Sequence, residues 1–201
     1  QKAAAAQDGN FFENEIIPVN GIDVDGCVRP ETNLESMSKL KPAFNKDGVV
    51  TAATSSPLTD GAAAVLVCSA VYANNNDLEI LAYIRGMAVS GCAPEIMGIG
   101  PVLSSQKALE RAGINLEDVD VIEMNEAFAA QSLACVEELG IDLSKLNIHG
   151  GAISMGHPLG ASGARITGKA ASLLKETGKR YALSTMCVGG GQGCATVLER
   201  A

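Results

Sequence analysis

The sequence has no tryptophan, and its aromatic residues make up only 3% of 201 positions. A core without large rings must rest on Ala, Val, Ile and Leu. Together with 22 glycines, such residues suit close packing of helices on a sheet. Histidine is scarce as well, with only His149 and His157. The six cysteines are spread along the chain and none forms a CxxC pair. That spacing argues against a metal site and against a disulfide framework, and it reads as reduced thiols in a cytoplasmic protein. Basic residues are outnumbered 15 to 23, for a net charge of −8. This argues against a nucleic-acid surface, which needs a basic stripe. It leaves room for a small anionic ligand, which a few local cations or helix N-termini can hold. No apolar run approaches the roughly 18 residues that a membrane span needs. The opening QKAAAAQDG has neither an initiator Met nor a signal-peptide pattern. It reads as a helix ended by Gly9, as in a piece cut from a longer chain.

What is present is an alternation of strand and helix patterns. EIIPV reads as a short strand, DGVVTAATSSPL as a strand running into a Ser/Pro turn, and LESMSKLKPAF as a loop or short helix broken by Pro42. LTDGAAAVLVCSAVY contains an apolar run expected to be a buried strand, and the NNND breaker at 74–77 marks the main boundary. Beyond it, LEILAYIRGMAVSG and VDVIEM read as strands, and SSQKALERAG, NEAFAAQSLACVEELG and GARITGKAASLLKETG as helices. YALSTMCV and CATVLER close the chain as an antiparallel hairpin, because the gap between them is too short for a helical crossover. The expected architecture is α/β, a mixed five-stranded sheet covered by helices.

Three loops carry candidate chemistry, each placed at a strand end, where open α/β sheets gather ligands. Asn125 and Glu126 follow VDVIEM. Asn is a good helix N-cap, so a capping role and a functional amide are both open. Second comes Gly156-His157-Pro158-Leu159-Gly160-Ala161-Ser162-Gly163. Its His is locked between Gly and Pro ahead of a helix N-terminus, placed to meet a developing negative charge. The segment lacks GxGxxG in strand–turn–helix register, which argues against a dinucleotide loop. Third is Cys187-Val188-Gly189-Gly190-Gly191-Gln192-Gly193. More Gly than a hairpin needs implies close approach of a ligand or another backbone. A Cys at the mouth of such a loop is a plausible acid–base group.

NEAFA, GGAISMGHPLGASG and CVGGGQG, in this order and spacing, resemble the three C-terminal motifs of the thiolase family. ESMSKLKPAF, TSSPLTDGAAAVLV and APEIMGIGP extend the resemblance to essentially the whole chain. A ketosynthase-type condensing enzyme shares the fold but uses two His, and here the third motif supplies Cys187 instead. The resemblance implies the C-terminal half of a thiolase. Residues 1–57 would be a remnant of the CoA-binding loop domain, 58–77 the last strand of the N-terminal domain with a linker, and 78–201 the C-terminal domain.

By the same resemblance, the activity is reversible cleavage of a 3-ketoacyl-CoA by CoA, through an acylated Cys. No resident cofactor is implied, since CoA is itself a substrate. Cys187 is then the acid/base of the acetyl half-reaction, and His157 activates the nucleophile. Asn125 positions an oxyanion-hole water, and the Gly189 N–H is half of a second hole. CoA or acyl contacts map to Arg29, Ser36, Met37, Ala43, Phe44, Ser56, Leu58, Met97, Ala127 and Phe128. Family members form homodimers or homotetramers. Pro57 and Thr59 replace a Gly and an Asn of many acetoacetyl-specific members, which points to the degradative branch, as does ATVLER. His149 stands where the family usually has a small polar residue. The nucleophilic Cys is expected in an N-terminal half outside these residues, because neither Cys27 nor Cys68 sits in a Cys-Ala-Ser-Gly type elbow. Without that half the chain would be inactive alone, and a truncated non-catalytic module is the competing reading.

Overall fold

The computed structural model describes residues 1–201. Its centre is a four-stranded mixed sheet in the order β1-β4-β3-β2. The strands are β1 (Ala82–Gly91), β2 (Val121–Met124), β3 (Tyr181–Val188) and β4 (Gln192–Arg200). β4 pairs antiparallel with both β1 and β3, while β2 and β3 run parallel. The closing hairpin is therefore as its short connection dictates, but the sheet has four strands, not five.

Side-chain alternation along the strands divides the core into two layers. On one face Ile122, Met124, Leu183, Ala195 and Val197 pack with Ala108 and Leu109 of α4 (Gly100–Ala112) and Cys135 of α5 (Ala129–Leu139). On the other, Val121, Ala182 and Leu198 meet Ala170, Leu173 and Leu174 of α7 (Ser162–Thr177). α4, α5 and α7 each end on a glycine in the left-handed region, at Gly113, Gly140 and Gly178. No helix is long and apolar enough to cross a membrane.

The first 77 residues hold less regular structure than the sequence suggests. α1 (Lys2–Asp8) forms as expected, and α2 (Leu34–Ser38) is closed by a reciprocal Asn33–Ser36 cap. EIIPV is not a strand, and only an isolated bridge joins Val19 to Ile22. DGVVTAATSSPL forms a 3-10 turn, Ala52–Thr54, and one bridge from Ser55 to Phe128. The apolar run at 58–72 is no buried strand. Val65, Leu66 and Val67 are exposed, and α3 (Ala70–Asn75) takes its last residues. A strand is stabilised only against a partner edge, and residues 58–72 pair with no strand of this sheet.

Candidate active site

β2 and β3 are parallel, so their C-terminal ends open on the same side. Met124 pairs with Thr185, and the next residue, Asn125, donates its N–H to the Thr185 carbonyl at 3.0 Å. Two residues further along β3 lies Cys187. The capping alternative for Asn125 drops out, since α5 starts at Ala129 with Phe128 ahead of it. Asn125 is fully buried, and its Nδ2 reaches His157 Nε2 at 3.3 Å.

His157 follows a short helix, α6 (Ala152–Met155), not a strand. Glu126 anchors that helix by accepting from Ile153 N (3.1 Å) and Asn147 Nδ2 (2.8 Å). Gly156 has φ +94° and lies so close to Thr59 that a Cβ would collide with it. The His157 N–H donates to Thr59 Oγ1 at 3.4 Å. At the other side of the ring, Nδ1 is 2.6 Å from Ser162 Oγ. Ser162 is fully buried and donates its hydroxyl to the Pro158 carbonyl at 3.1 Å. Its oxygen must therefore accept from His157 Nδ1–H. That fixes the tautomer, with the lone pair on Nε2, where it accepts from Asn125 Nδ2. Sequence reading placed Ser162 in the motif without giving it a role.

Burial first, and the Arg165 guanidinium second, lower the proton affinity of His157, so the ring is a neutral acceptor at pH 7. Cys187 is buried, and burial pushes its thiol up, with a further upward push from Cys92. It is held as a thiol, able to donate a proton. Cys135, on α5, is pushed up to about 11 by burial. No hydrogen bond joins Cys187 to His157; they share an end of the sheet.

The Gly-rich hairpin owes its composition to a neighbouring backbone. Gly191 (φ +90°) lies against Cys92 and Pro94, and Gly193 against Gly100. Gly189 differs: it is exposed and nothing surrounds its Cβ position.

Some of the expected CoA contacts converge. Ser56 donates its N–H and its hydroxyl to the Ala127 carbonyl, at 3.1 and 3.3 Å. The Phe44 and Phe128 rings meet edge to face, 6.3 Å between centroids. Leu58, with Ser56, Thr59, Asp60 and Leu159, lines a cleft of about 420 Å³ that includes His157. Met97 is half-buried in the 3-10 turn Pro94–Ile99. Arg29 and Ala43 are exposed, Met37 is half-buried, and the Ser36 hydroxyl is engaged in the α2 cap. No hydrogen bond ties these four to the cleft. None of the residues groups into a metal-binding cluster.

Fold and site together define a layered α/β protein with an amide, an imidazole and a thiol gathered at the parallel edge of its sheet. The thiolase C-terminal domain model matches residues 78–200, and the thiolase N-terminal domain model matches residues 1–71. The chain belongs to the thiolase family. It carries sequence of both domains, which corrects the expectation of a C-terminal half alone. It is 51% identical to a 3-ketoacyl-CoA thiolase of Vibrio vulnificus (strain CMCP6), over 98% of this chain and 54% of that protein. Among solved structures, the human mitochondrial 3-ketoacyl-CoA thiolase in complex with CoA superposes with a TM-score of 0.94 at 42% identity. That match covers 100% of this chain and 52% of the other. The Bacillus anthracis acetyl-CoA acetyltransferase superposes with a TM-score of 0.93 at 40% identity, over 100% and 53%. The chain thus spans about half the length of the relatives it matches.

Proposed function

We propose that these residues are the proton-handling side of a 3-ketoacyl-CoA thiolase active site. The observation that carries this is His157, its Nδ1–H held by Ser162 and its Nε2 presented beside Asn125 at the cleft. Nε2 takes the proton of a nucleophilic Cys, whose thiolate attacks the 3-keto carbon of the substrate. The C2–C3 bond breaks, Cys187 supplies a proton to the departing acetyl-CoA carbanion, and the acyl-Cys is transferred to a second CoA. Asn125, through a water, and the Gly189 N–H face the oxygens that gain charge. Losing one such donor costs about 10²–10³ in rate.

The nucleophile is assigned to an N-terminal half outside these residues. Support comes from the length of the relatives and from apolar surface such as Val65, Leu66, Met87 and Val89, left exposed here. The same surface favours assembly with that half and with further copies as a dimer or tetramer. Domain limits of 1–57, 58–77 and 78–201 follow from this reading. Free thiols at all six cysteines accord with a cytoplasmic setting.

The test restores the N-terminal half and follows thiolysis of 3-ketoacyl-CoAs of several lengths. Cleavage favouring longer chains is expected. Cleavage of acetoacetyl-CoA alone would assign the biosynthetic branch, whose structural likeness is nearly as strong. No cleavage of any substrate, with tight calorimetric CoA binding, would leave a non-catalytic module.

A further inference from the structure

Ser162, Arg165 and Lys169 are spaced three and four apart on α7, so they share one face of it. Glu123 and Asn125 are two apart along β2 and its extension, so they also share a face. The two rows oppose each other. At the open end, Ser162 and Asn125 grip His157 from its two ring nitrogens. One step deeper the row becomes charged, and Arg165 and Lys169 act on the Glu123 carboxyl.

These two cations are not equivalent. Lys169 pairs with Glu15 at 3.0 Å. Arg165 contacts no carboxylate, and its Nε and Nη2 are buried without a hydrogen-bond partner. Glu123 is 1% exposed, and its Oε1 has no partner either. A guanidinium does not shed its charge in a protein. The groups that adjust are therefore its titratable neighbours. For Glu123, burial outweighs the pull of Arg165 and Lys169, and its carboxyl is raised to about 8. At neutral pH that acid is mostly protonated and offsets little of the charge.

We propose that Arg165 is a positioning residue: its buried guanidinium, which has no carboxylate partner and lies one helical turn beyond Ser162, opposes a second proton on His157, whose tautomer Ser162 sets. The proposal rests on reading His157 as the base. A cation behind the ring also strengthens Nε2–H as a donor, once the proton has arrived, to a thioester oxygen. The remaining charged or titratable groups around this interface are Lys169, Glu15 and Glu126 near Glu123, Asp60 across the cleft, and the Cys187 thiol at the strand end.

The test is an NMR titration of the 201-residue chain, whose two histidines give two resolvable ring signals. Wild-type His157 is expected to titrate below the ordinary value of about 6.5. Arg165→Met raises its midpoint by about half a unit or more, and Arg165→Lys returns it to within about 0.3 of wild type. Glu123→Gln leaves it within about 0.2, because one neutral group replaces another. His149, flanked by Lys169 and Glu176 instead, stays put and reports an intact fold. The proposal is overturned if wild-type His157 titrates at or above about 6.5, if Arg165→Met produces no upward shift, or if Glu123→Gln lowers the midpoint. The wild-type and Glu123→Gln arms keep it falsifiable should the Arg165 variant not fold. The readout is proton affinity, not turnover. A chain that never catalyses thiolysis can pass, and a working thiolase can fail.

Discussion

At the residue scale the site is a chain of enforced donors and acceptors. Ser162 gives its one proton to Pro158, so it can only accept from His157, which leaves Nε2 as the acceptor. Ser162→Ala removes that constraint and strands a buried N–H, at a cost of about 1–3 kcal/mol. Urea unfolding should show a loss of that size, and ¹⁵N shifts of His157 should change from one tautomer to a mixture. A single Nδ1–H tautomer in the variant would contradict the role. Cys187 makes a different prediction. It is a buried thiol with no hydrogen-bonded partner on His157, so Cys187→Ala should leave the fold intact while abolishing proton exchange at the acetyl methyl in the reconstituted enzyme. Unimpaired exchange would reassign the acid.

At the element scale, what the sequence made legible and what it hid separate cleanly. Asn125, His157 and Cys187 were readable because each lies in a short motif whose Gly and Pro content already fixes the local backbone. Helices α4, α5 and α7 were readable from periodicity and their glycine stops. The run at 58–72 was misread because hydrophobicity signals burial but not the partner edge that burial needs. Glu123 and Arg165 were invisible for the opposite reason: in VDVIEM and GARITG a charge reads as the outward face. Only the packing of α7 on β2 turns both inward. The glycines of the β3–β4 hairpin supply a test at this scale. Gly191 combines φ +90° with the backbone of Cys92 and Pro94, whereas Gly189 has open space. Gly191→Ala should destabilise by at least about 2 kcal/mol through strain and overpacking. Gly189→Ala should stay within about 0.5 kcal/mol, as a change at an open surface position. Equal effects in chemical denaturation would show that the hairpin tolerates a shift of its backbone neighbour.

For the whole molecule, the buried acid and the two depressed histidines pull stability in opposite directions with pH. Glu123 holds its proton in the folded state to about 8 against an ordinary 4.5. The folded chain therefore binds more protons there than the unfolded one. That contribution is complete below 4.5 and is lost as pH rises towards 8, by up to about 1.4 kcal/mol per pH unit. Burial lowers His149 and His157, so the unfolded chain binds more protons than the folded one just below the ordinary value of 6.5. Their contribution is present above 6.5 and is lost as pH falls through the folded values. Stability should peak near pH 6.5 and decline towards pH 8. Glu123→Gln cannot ionise in either state, so it should remove the decline above 6.5 while keeping the loss below it. Urea midpoints at half-unit steps from pH 5 to 8 decide the matter. A variant whose midpoints fall towards pH 8 as steeply as wild type would place the titrating group elsewhere and return Glu123 to an ionised, paired state.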